Sequence, residues 1–482
     1  MQSATIIRIL GILLMIFSLT MLPPSLVALW YKDGGGNAFF VTFLLSLVTG
    51  LLLFIPRRKA KAELKIRDGF LVVVLFWTVL SLFGALPFLL SNQVDLTLAN
   101  AIFESFSGLT TTGATVITGL DQLPHSILYY RQQLQWLGGM GIIVLAVAIL
   151  PMLGIGGMQL YRAETPGPMK DNKLTPRIAG TAKALWYIYL GLTIACALAY
   201  WMAGMSPFDA IAHSFSTIAI GGFSTHDASI GYFDSNSIEL ICSLFMFIAG
   251  INFSLHFVAS RRLSIRPYLK DPEFKSYLLI LSIVILCCLI VLLSYGMFEF
   301  SDALVKSIFH TISIATTTGF ATTEFHLWPS ILPVLLIFAS FAGACAGSTG
   351  GGMKIIRILL LFKQGMREIK RLVHPNGVFL IKLGRDSISD RVVQAVWGFF
   401  ATYVVLFVLL MLILLADGLD QVTAFSAVAA CMNNLGPGLG EVALNYNGLS
   451  DLSKYVLSFA MLLGRLEIFT LLVLFTPTFW RR

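Results

Sequence analysis

Charge is what this sequence has least of. Asp, Glu, Lys and Arg make up 12% of its 482 residues, about half the share of an ordinary soluble domain, which excludes a water-soluble globular enzyme of this length. Cysteine is sparse too. Cys196, Cys242, Cys287, Cys288, Cys345 and Cys431 lie in apolar stretches without disulfide-framework or metal-ligand spacing, so they read as small core residues. No GxSxG, HExxH or Cys–His constellation occurs, which leaves an intramembrane enzyme without its chemistry. What is abundant is apolar: 57% hydrophobic residues and a mean hydropathy of +0.83. The chain reads as an all-α integral membrane protein.

A helix needs about 20 apolar residues to cross the hydrocarbon layer. Ten runs qualify, at 6–30, 38–55, 69–90, 134–153, 182–202, 238–260, 277–297, 331–361, 392–416 and 455–479. The first is too long for a signal peptide and lacks a small-residue cleavage site, so it is expected to stay attached. An even number of spans puts both termini on one side, and the Lys/Arg bias of short loops orients them. Of the 33 basic residues, 28 fall in one alternate set of loops and the termini, among them Arg57 to Arg67, Arg162, Lys170, Lys173, Arg177 and Lys354 to Arg391. Both termini are therefore expected in the cytoplasm. The net charge of +8 becomes an orientation signal, and a nucleic-acid partner loses its evidence.

Internal repeats organise the rest. Four apolar segments on the outer side are too short to cross and end in glycine: AIFESFSGLTTTG (101–113), AIAHSFSTIAIGG (210–222), SIFHTISIATTTG (307–319) and AFSAVAACMNNLG (424–436). They align without gaps, the fourth being the most divergent, and their final glycines recur after 109, 97 and 117 residues. Each repeat reads as helix, short re-entrant helix, glycine loop, helix. About nine helical residues rise about 13 Å, under half the hydrocarbon thickness. Non-helical backbone at that depth is tolerated only inside protein or along a water-filled cavity. The expected division is an N-terminal helix pair at 1–67 and pseudo-symmetric repeats at 68–160, 161–265, 266–365 and 366–482 around one pore.

Loops in a ring offer backbone carbonyls, which replace the hydration shell of a monovalent cation, and glycine lets them approach the axis. Short helices with C-termini aimed at the membrane centre would add negative dipole ends. A carboxylate follows each glycine, at Asp121, Asp227, Glu324 and Glu441; these form either an acidic ring that gathers cations or ordinary loop acids.

The loops TTTGAT (110–115), AIGGFST (219–225), TTTGFAT (316–322) and NNLGPGLG (433–440) resemble the single-glycine filter loops of the Trk/Ktr/HKT superfamily of potassium transporters, over essentially the whole chain. The extra N-terminal helix pair points to the TrkH branch rather than the eight-span KtrB type. The resemblance implies filter glycines at Gly113, Gly222, Gly319 and Gly436, with ion sites lined by the carbonyls of Thr111, Thr112, Ile220, Gly221, Thr317, Thr318, Asn434 and Leu435. It also implies K⁺, with Rb⁺ or Na⁺ as other candidate ions, a homodimer with one pore per protomer, a cytoplasmic TrkA-like ring that binds nucleotide, and the bacterial inner membrane. No cofactor is implied. No loop carries a full TVGYG, so moderate K⁺ over Na⁺ selectivity is expected.

The expected eighth span contains SFAGACAGSTGGG (340–352), a poor helix because each glycine costs about 1 kcal/mol relative to alanine. An unwound segment containing Gly343, Gly347, Gly350, Gly351 and Gly352 below the filter reads as a gate; the alternative is close helix packing through Gly343 and Gly347. Met353 separates Gly352 from Lys354 and excludes a Walker loop. Arg465 sits inside the last span, where insertion costs about 2.5–3.5 kcal/mol. By resemblance it projects into the vestibule towards the glycine-rich loop; the alternative is a buried ion pair. Glu104, His213 and His310 share a column that Ala427 breaks, which favours helix-anchoring hydrogen bonds over a metal site. Channel-like K⁺ uptake and an H⁺- or Na⁺-coupled secondary transporter both remain open, although four repeats of one orientation favour the channel.

Overall fold

A computed structural model describes residues 2–141, apart from 61 and 63, and residues 178–481, apart from 385. Among the described residues, six helices are long and apolar enough to cross a bilayer: Ser3–Tyr31, Gly36–Arg57, Arg67–Leu90, Lys183–Met202, Pro272–Ser294 and Asp390–Ala416. Each coincides with an expected span. Pro272–Ser294 shows why such a segment is helical and lipid-facing. The Asp271 side chain caps it, accepting from the Phe274 N–H at 2.7 Å, and Pro272 occupies the first turn, where no donor is needed. It then turns Leu279, Ile283, Leu286 and Ile290 outward and Leu281, Val284, Cys288 and Leu292 inward. A helix with no polar face belongs in lipid, and the chain is a multi-pass membrane protein.

The fourth expected span begins in His125–Gly139; its continuation from 142, and with it Arg162, Lys170, Lys173 and Arg177, lies outside the described residues. Three other expected spans are not continuous helices. The eighth is Ile331–Ala342, a non-helical stretch, then Ile355–Val373. The sixth bends by 95° between Asn236–Ala249 and Phe253–Arg262, and the last by 107° between Asp451–Arg465 and Phe469–Phe475. Only the eighth break is signalled by a glycine run. At the sixth, Asn252 restarts the helix by accepting from the Ser254 N–H at 2.8 Å. At the last, Glu467 and Ile468 take positive φ of 52° and 60°, conformations their side chains do not favour.

The N-terminal pair packs through close backbone approach: a Cβ on Gly11 would lie 2.7 Å from the Gly50 carbonyl oxygen. A two-residue antiparallel hairpin, Lys382–Leu383 with Asp386–Ser387, departs from the otherwise helical reading.

The four re-entrant segments form the helices Leu98–Leu109, Pro207–Ala219, Phe300–Ala315 and Gln421–Asn433, of 12, 13, 16 and 13 residues. They are longer than the repeat alignment indicates, about 18–24 Å, and polar side-chain caps outside the aligned blocks start three of them, whereas Phe300–Ala315 follows Glu299 without a side-chain cap bond. The Thr97 side chain accepts from the Asn100 N–H, Ser206 from the Asp209 N–H and Asp420 from the Val422 and Thr423 N–H groups. A 3₁₀ turn follows each glycine loop, at Leu120–Gln122, Ser229–Phe233, Phe325–Leu327 and Gly440–Val442. The pseudo-fourfold pattern therefore extends beyond the aligned residues.

Candidate functional site

Each short helix ends in the same backbone device. The residue two before the glycine takes a left-handed conformation, at Thr111 (φ 55°), Ile220 (54°), Thr317 (70°) and Asn434 (56°). The N–H of the next residue then reaches back five positions at 2.8 Å in every copy: Thr112 to Ser107, Gly221 to Ser216, Thr318 to Ser313 and Leu435 to Ala430. This is a Schellman closure. The glycine then takes positive φ again, at 84°, 80°, 86° and 98° for Gly113, Gly222, Gly319 and Gly436. Four different sequences thus adopt one conformation.

The loops close on one another in cyclic order. A Cβ on Gly113 would overlap the carbonyl oxygen of Gly221, one on Gly222 that of Thr318, and one on Gly319 that of Leu435; one on Gly436 would lie 2.8 Å from the Thr112 oxygen. Each glycine is therefore covered by the carbonyl that precedes the next glycine, around a single axis. Thr111, Thr112, Ile220, Thr317, Thr318, Asn434 and Leu435 are buried, yet among the described residues no donor reaches their carbonyls. Buried carbonyls normally have partners. Gly221 differs, accepting from Gln135 Nε2 at 2.6 Å, which leaves its second lone pair. The short helices direct their C-terminal, partly negative ends at this ring.

Side chains brace the ring from behind. Glu104 accepts from the Val116 N–H at 2.9 Å and pairs with buried Arg131 at 2.8 Å; Arg131 also donates to the Ser224 carbonyl at 3.0 Å and so joins the first loop to the second. In the same column His213 bonds Ser224 Oγ at 2.9 Å and His310 bonds Thr323 Oγ1 at 3.1 Å. Where Ala427 breaks the column, its neighbour Ser426 accepts from the Leu439 N–H at 2.8 Å. The column anchors the loops. Sequence reasoning missed Arg131, Gln135 and Asn434 as braces. Gln135 also accepts from the Phe223 N–H at 3.0 Å, and Asn434 Nδ2 donates to Thr112 Oγ1 at 3.0 Å. For Arg131 and Gln135 the available signal was a polar run, RQQLQ (131–135), at the entry to an expected span. Arg131→Ala is expected to destabilise the protein by about 3–5 kcal/mol, because it strands the Glu104 carboxylate; an unchanged melting temperature in detergent would contradict this.

Outside the ring lies a cavity of about 420 Å³ lined by all four glycines together with Arg131, His226, Asp227 and Glu324. Asp227 and Glu324 line it, whereas Asp121 and Glu441 do not, so the four carboxylates form no even ring. Asp121 lies 2.5 Å from His226 Nδ1, Asp209 lies 3.5 Å from its Nε2, and Tyr232 stacks on the imidazole. Burial disfavours the charged imidazole, but the Asp209 and Asp121 carboxylates outweigh it and raise its pKa above the usual 6.5. A raised folded pKa contributes stability that is complete below about 6.5 and is lost as pH climbs through the folded value. The stability gap between the wild type and His226→Gln is therefore expected to narrow as pH rises above 6.5, measured by thermal unfolding; a gap independent of pH would contradict it.

Inside the ring, residues 343–354 are non-helical. Gly343, Gly347 and Gly352 have φ of 67°, 72° and 71°, so they do not act as a helix-packing stripe. This loop bonds the second, third and fourth repeats directly and is linked to the first through Arg465. Thr349 Oγ1 donates to the Ile218 carbonyl at 2.9 Å, the Gly351 N–H to Thr317 Oγ1 at 2.7 Å and the Gly352 N–H to the Asn433 carbonyl at 3.0 Å. Gly350 is held by Lys354 Nζ, which donates to its carbonyl. Arg465 supplies the first repeat: it donates to the Thr349 carbonyl at 3.2 Å, to Thr111 Oγ1 at 3.3 Å and to the Gly138 carbonyl. Its guanidinium lies 5.1 Å from the Trp77 ring centre. Glu467, at the bend, pairs instead with Arg357.

Residues 35–482 match the model of the TrkH family, described as a cation transport protein. The chain is 62% identical to the Trk system potassium uptake protein TrkH of Vibrio parahaemolyticus and 58% identical to that of Escherichia coli, each over the whole of both chains. It is 44% identical to the Escherichia coli Trk system potassium uptake protein TrkG, covering 98% of this chain and 97% of that one. The fold is similar to the crystal structure of the potassium transporter TrkH from Vibrio parahaemolyticus, with a TM-score of 0.92 and 60% identity over the whole of both chains.

Proposed function

The chain belongs to the TrkH family of cation transport proteins, a transporter family rather than an enzyme family, and from that premise we propose that it is a potassium uptake protein. K⁺ passes inward, channel-like, through one pore in each protomer. Its relatives' names supply the ion. The ring of buried carbonyls, which among the described residues accept from no protein donor except at Gly221, closed loop upon loop at Gly113, Gly222, Gly319 and Gly436, carries the mechanism.

In this reading a K⁺ ion sheds water in the outer cavity and is coordinated by the carbonyls of Thr111, Thr112, Ile220, Gly221, Thr317, Thr318, Asn434 and Leu435. The short-helix dipoles stabilise its charge. The Arg131–Glu104 pair and Gln135 hold the loops at the ion's radius. Below, the loop at 343–352 with Arg465 obstructs the path, since a guanidinium beside Thr111 repels a cation. Flux requires the loop and Arg465 to withdraw. Ten spans with both termini cytoplasmic in a bacterial inner membrane, the repeats divided at 68, 161, 266 and 366, a homodimer and a cytoplasmic TrkA-like ring complete the proposal. The basic-residue bias supports the orientation, and the family resemblance supports the assembly.

A coupled secondary transporter would need a proton or sodium site that alternates between two faces; the repeats share one orientation, and Glu104 is committed to Arg131. Uptake of Rb⁺ into proteoliposomes without a proton or sodium gradient is the deciding experiment. Sustained uptake is expected; strict dependence on either gradient would overturn the channel mechanism.

A further inference from the structure

Glu273 is the second residue of Pro272–Ser294 and is buried, with 8% of its surface exposed. Its Oε1 accepts two backbone N–H groups, from Ala346 at 2.7 Å and from Ile356 at 3.1 Å. Ala346 lies on the descending limb of the intramembrane loop and Ile356 just past its returning limb. One oxygen therefore ties both limbs of the loop to a third helix.

The tie meets a need of the backbone. Ile355–Val373 starts without a cap of its own, since Lys354 has φ 78° and makes no side-chain cap bond. The first N–H groups of a helix need acceptors, and its positive dipole end favours an anion. The Ile355 N–H goes to the Ala344 carbonyl at 3.2 Å across the loop's mouth, and the Ile356 N–H goes to Glu273. A buried carboxylate persists only where such donors satisfy it. Cys345, next to Ala346, donates to the Gly250 carbonyl at 3.0 Å, so the descending limb also leans on the bend of the sixth span.

We propose that Glu273 is the latch of the intramembrane loop, a positioning residue that keeps the path shut by clamping the two limbs together; the proposal rests on the reading of that loop as a gate. Ile356 lies in the first turn of Ile355–Val373, so a displacement of that helix acts on the Glu273 bond before it moves the glycines. Arg367, farther along the helix, is paired with Asp390 at 2.6 Å, which gives the helix a hold near its other end. Opening then begins with loss of the Ile356 bond and proceeds to release of Gly351 from Thr317 and Gly352 from Asn433.

The test compares Glu273→Gln, Glu273→Asp and Glu273→Ala in the full chain, by Rb⁺ uptake into proteoliposomes together with the K⁺/Na⁺ permeability ratio. Glutamine keeps a carbonyl oxygen at the same reach and is expected to stay within about twofold of wild type. Aspartate keeps the charge but is one methylene shorter and cannot serve both limbs, and alanine serves neither. Each is expected to raise uptake about tenfold, about the net worth of one hydrogen bond lost from the shut state. The permeability ratio stays at the wild-type value throughout, which a general loosening of the fold would not allow. The Asp and Gln pair carries the test if the Ala variant does not fold. Wild-type uptake in Asp and Ala, beside raised uptake when 343–351 is deleted, overturns the latch and leaves the gate standing. Raised uptake in Gln beside wild-type uptake in Asp also overturns it, because charge rather than reach would then matter. If the deletion raises nothing, the gate falls and the latch with it.

Discussion

Gly113→Ser is expected to reduce the K⁺/Na⁺ permeability ratio by at least about tenfold. Two costs act together. At φ 84° a residue with a side chain pays about 1–2 kcal/mol that glycine does not. Its Cβ would also overlap the carbonyl oxygen of Gly221, which cannot step aside because Gln135 holds that oxygen at 2.6 Å and the Phe223 N–H at 3.0 Å. The loop must therefore leave its conformation, and about 1.4 kcal/mol of lost discrimination is a factor of ten. Gly448 is the control: it is exposed, and a Cβ there meets nothing within 4 Å. Gly448→Ser should leave the ratio unchanged. An unchanged ratio in Gly113→Ser would count against the ring as the selecting element.

Deleting residues 343–351 is expected to raise Rb⁺ flux about tenfold or more, the gain from removing several hydrogen bonds that hold the shut state. The geometry permits the deletion. A Cβ on Gly343 would lie 3.0 Å from the Gly352 Cα, and the Met353 N–H donates to the Phe341 carbonyl at 3.0 Å, so the loop leaves and returns at one point and Ala342 can be joined to Gly352. Arg465→Ala should act in the same direction but less, because the bonds from Gly351 to Thr317 and from Gly352 to Asn433 remain. Unchanged or lower flux in well-folded deletion protein would contradict a gate at this loop.

Repetition made much of this legible in the sequence. Four gap-free blocks ending in glycine located the loops, and the structure gives all four one backbone conformation although their residues differ as widely as Thr111 and Asn434. The break at 343–354 was legible because seven residues between Ser340 and Gly352 are glycine or serine. The bend at Glu467 and Ile468 was not, since neither residue favours the left-handed region; its cause is long-range, in the Glu467–Arg357 pair and the close packing around Arg465. The length of the short helices was hidden because caps such as Thr97 and Asp420 differ from repeat to repeat. Arg131 is one of the five basic residues outside the set of loops and termini that orients the chain. Only the fold reveals that it is buried and joins two loops. Glu273 was invisible for the same reason, its partners lying 73 and 83 positions away.

Anomalous scattering from crystals grown in Rb⁺ tests the central claim most directly. The ring of carbonyls predicts Rb⁺ on the axis among Thr112, Gly221, Thr318 and Leu435, level with the four glycines. Well-ordered loops with no Rb⁺ on that axis, or Rb⁺ bound only elsewhere in the protein, would contradict it.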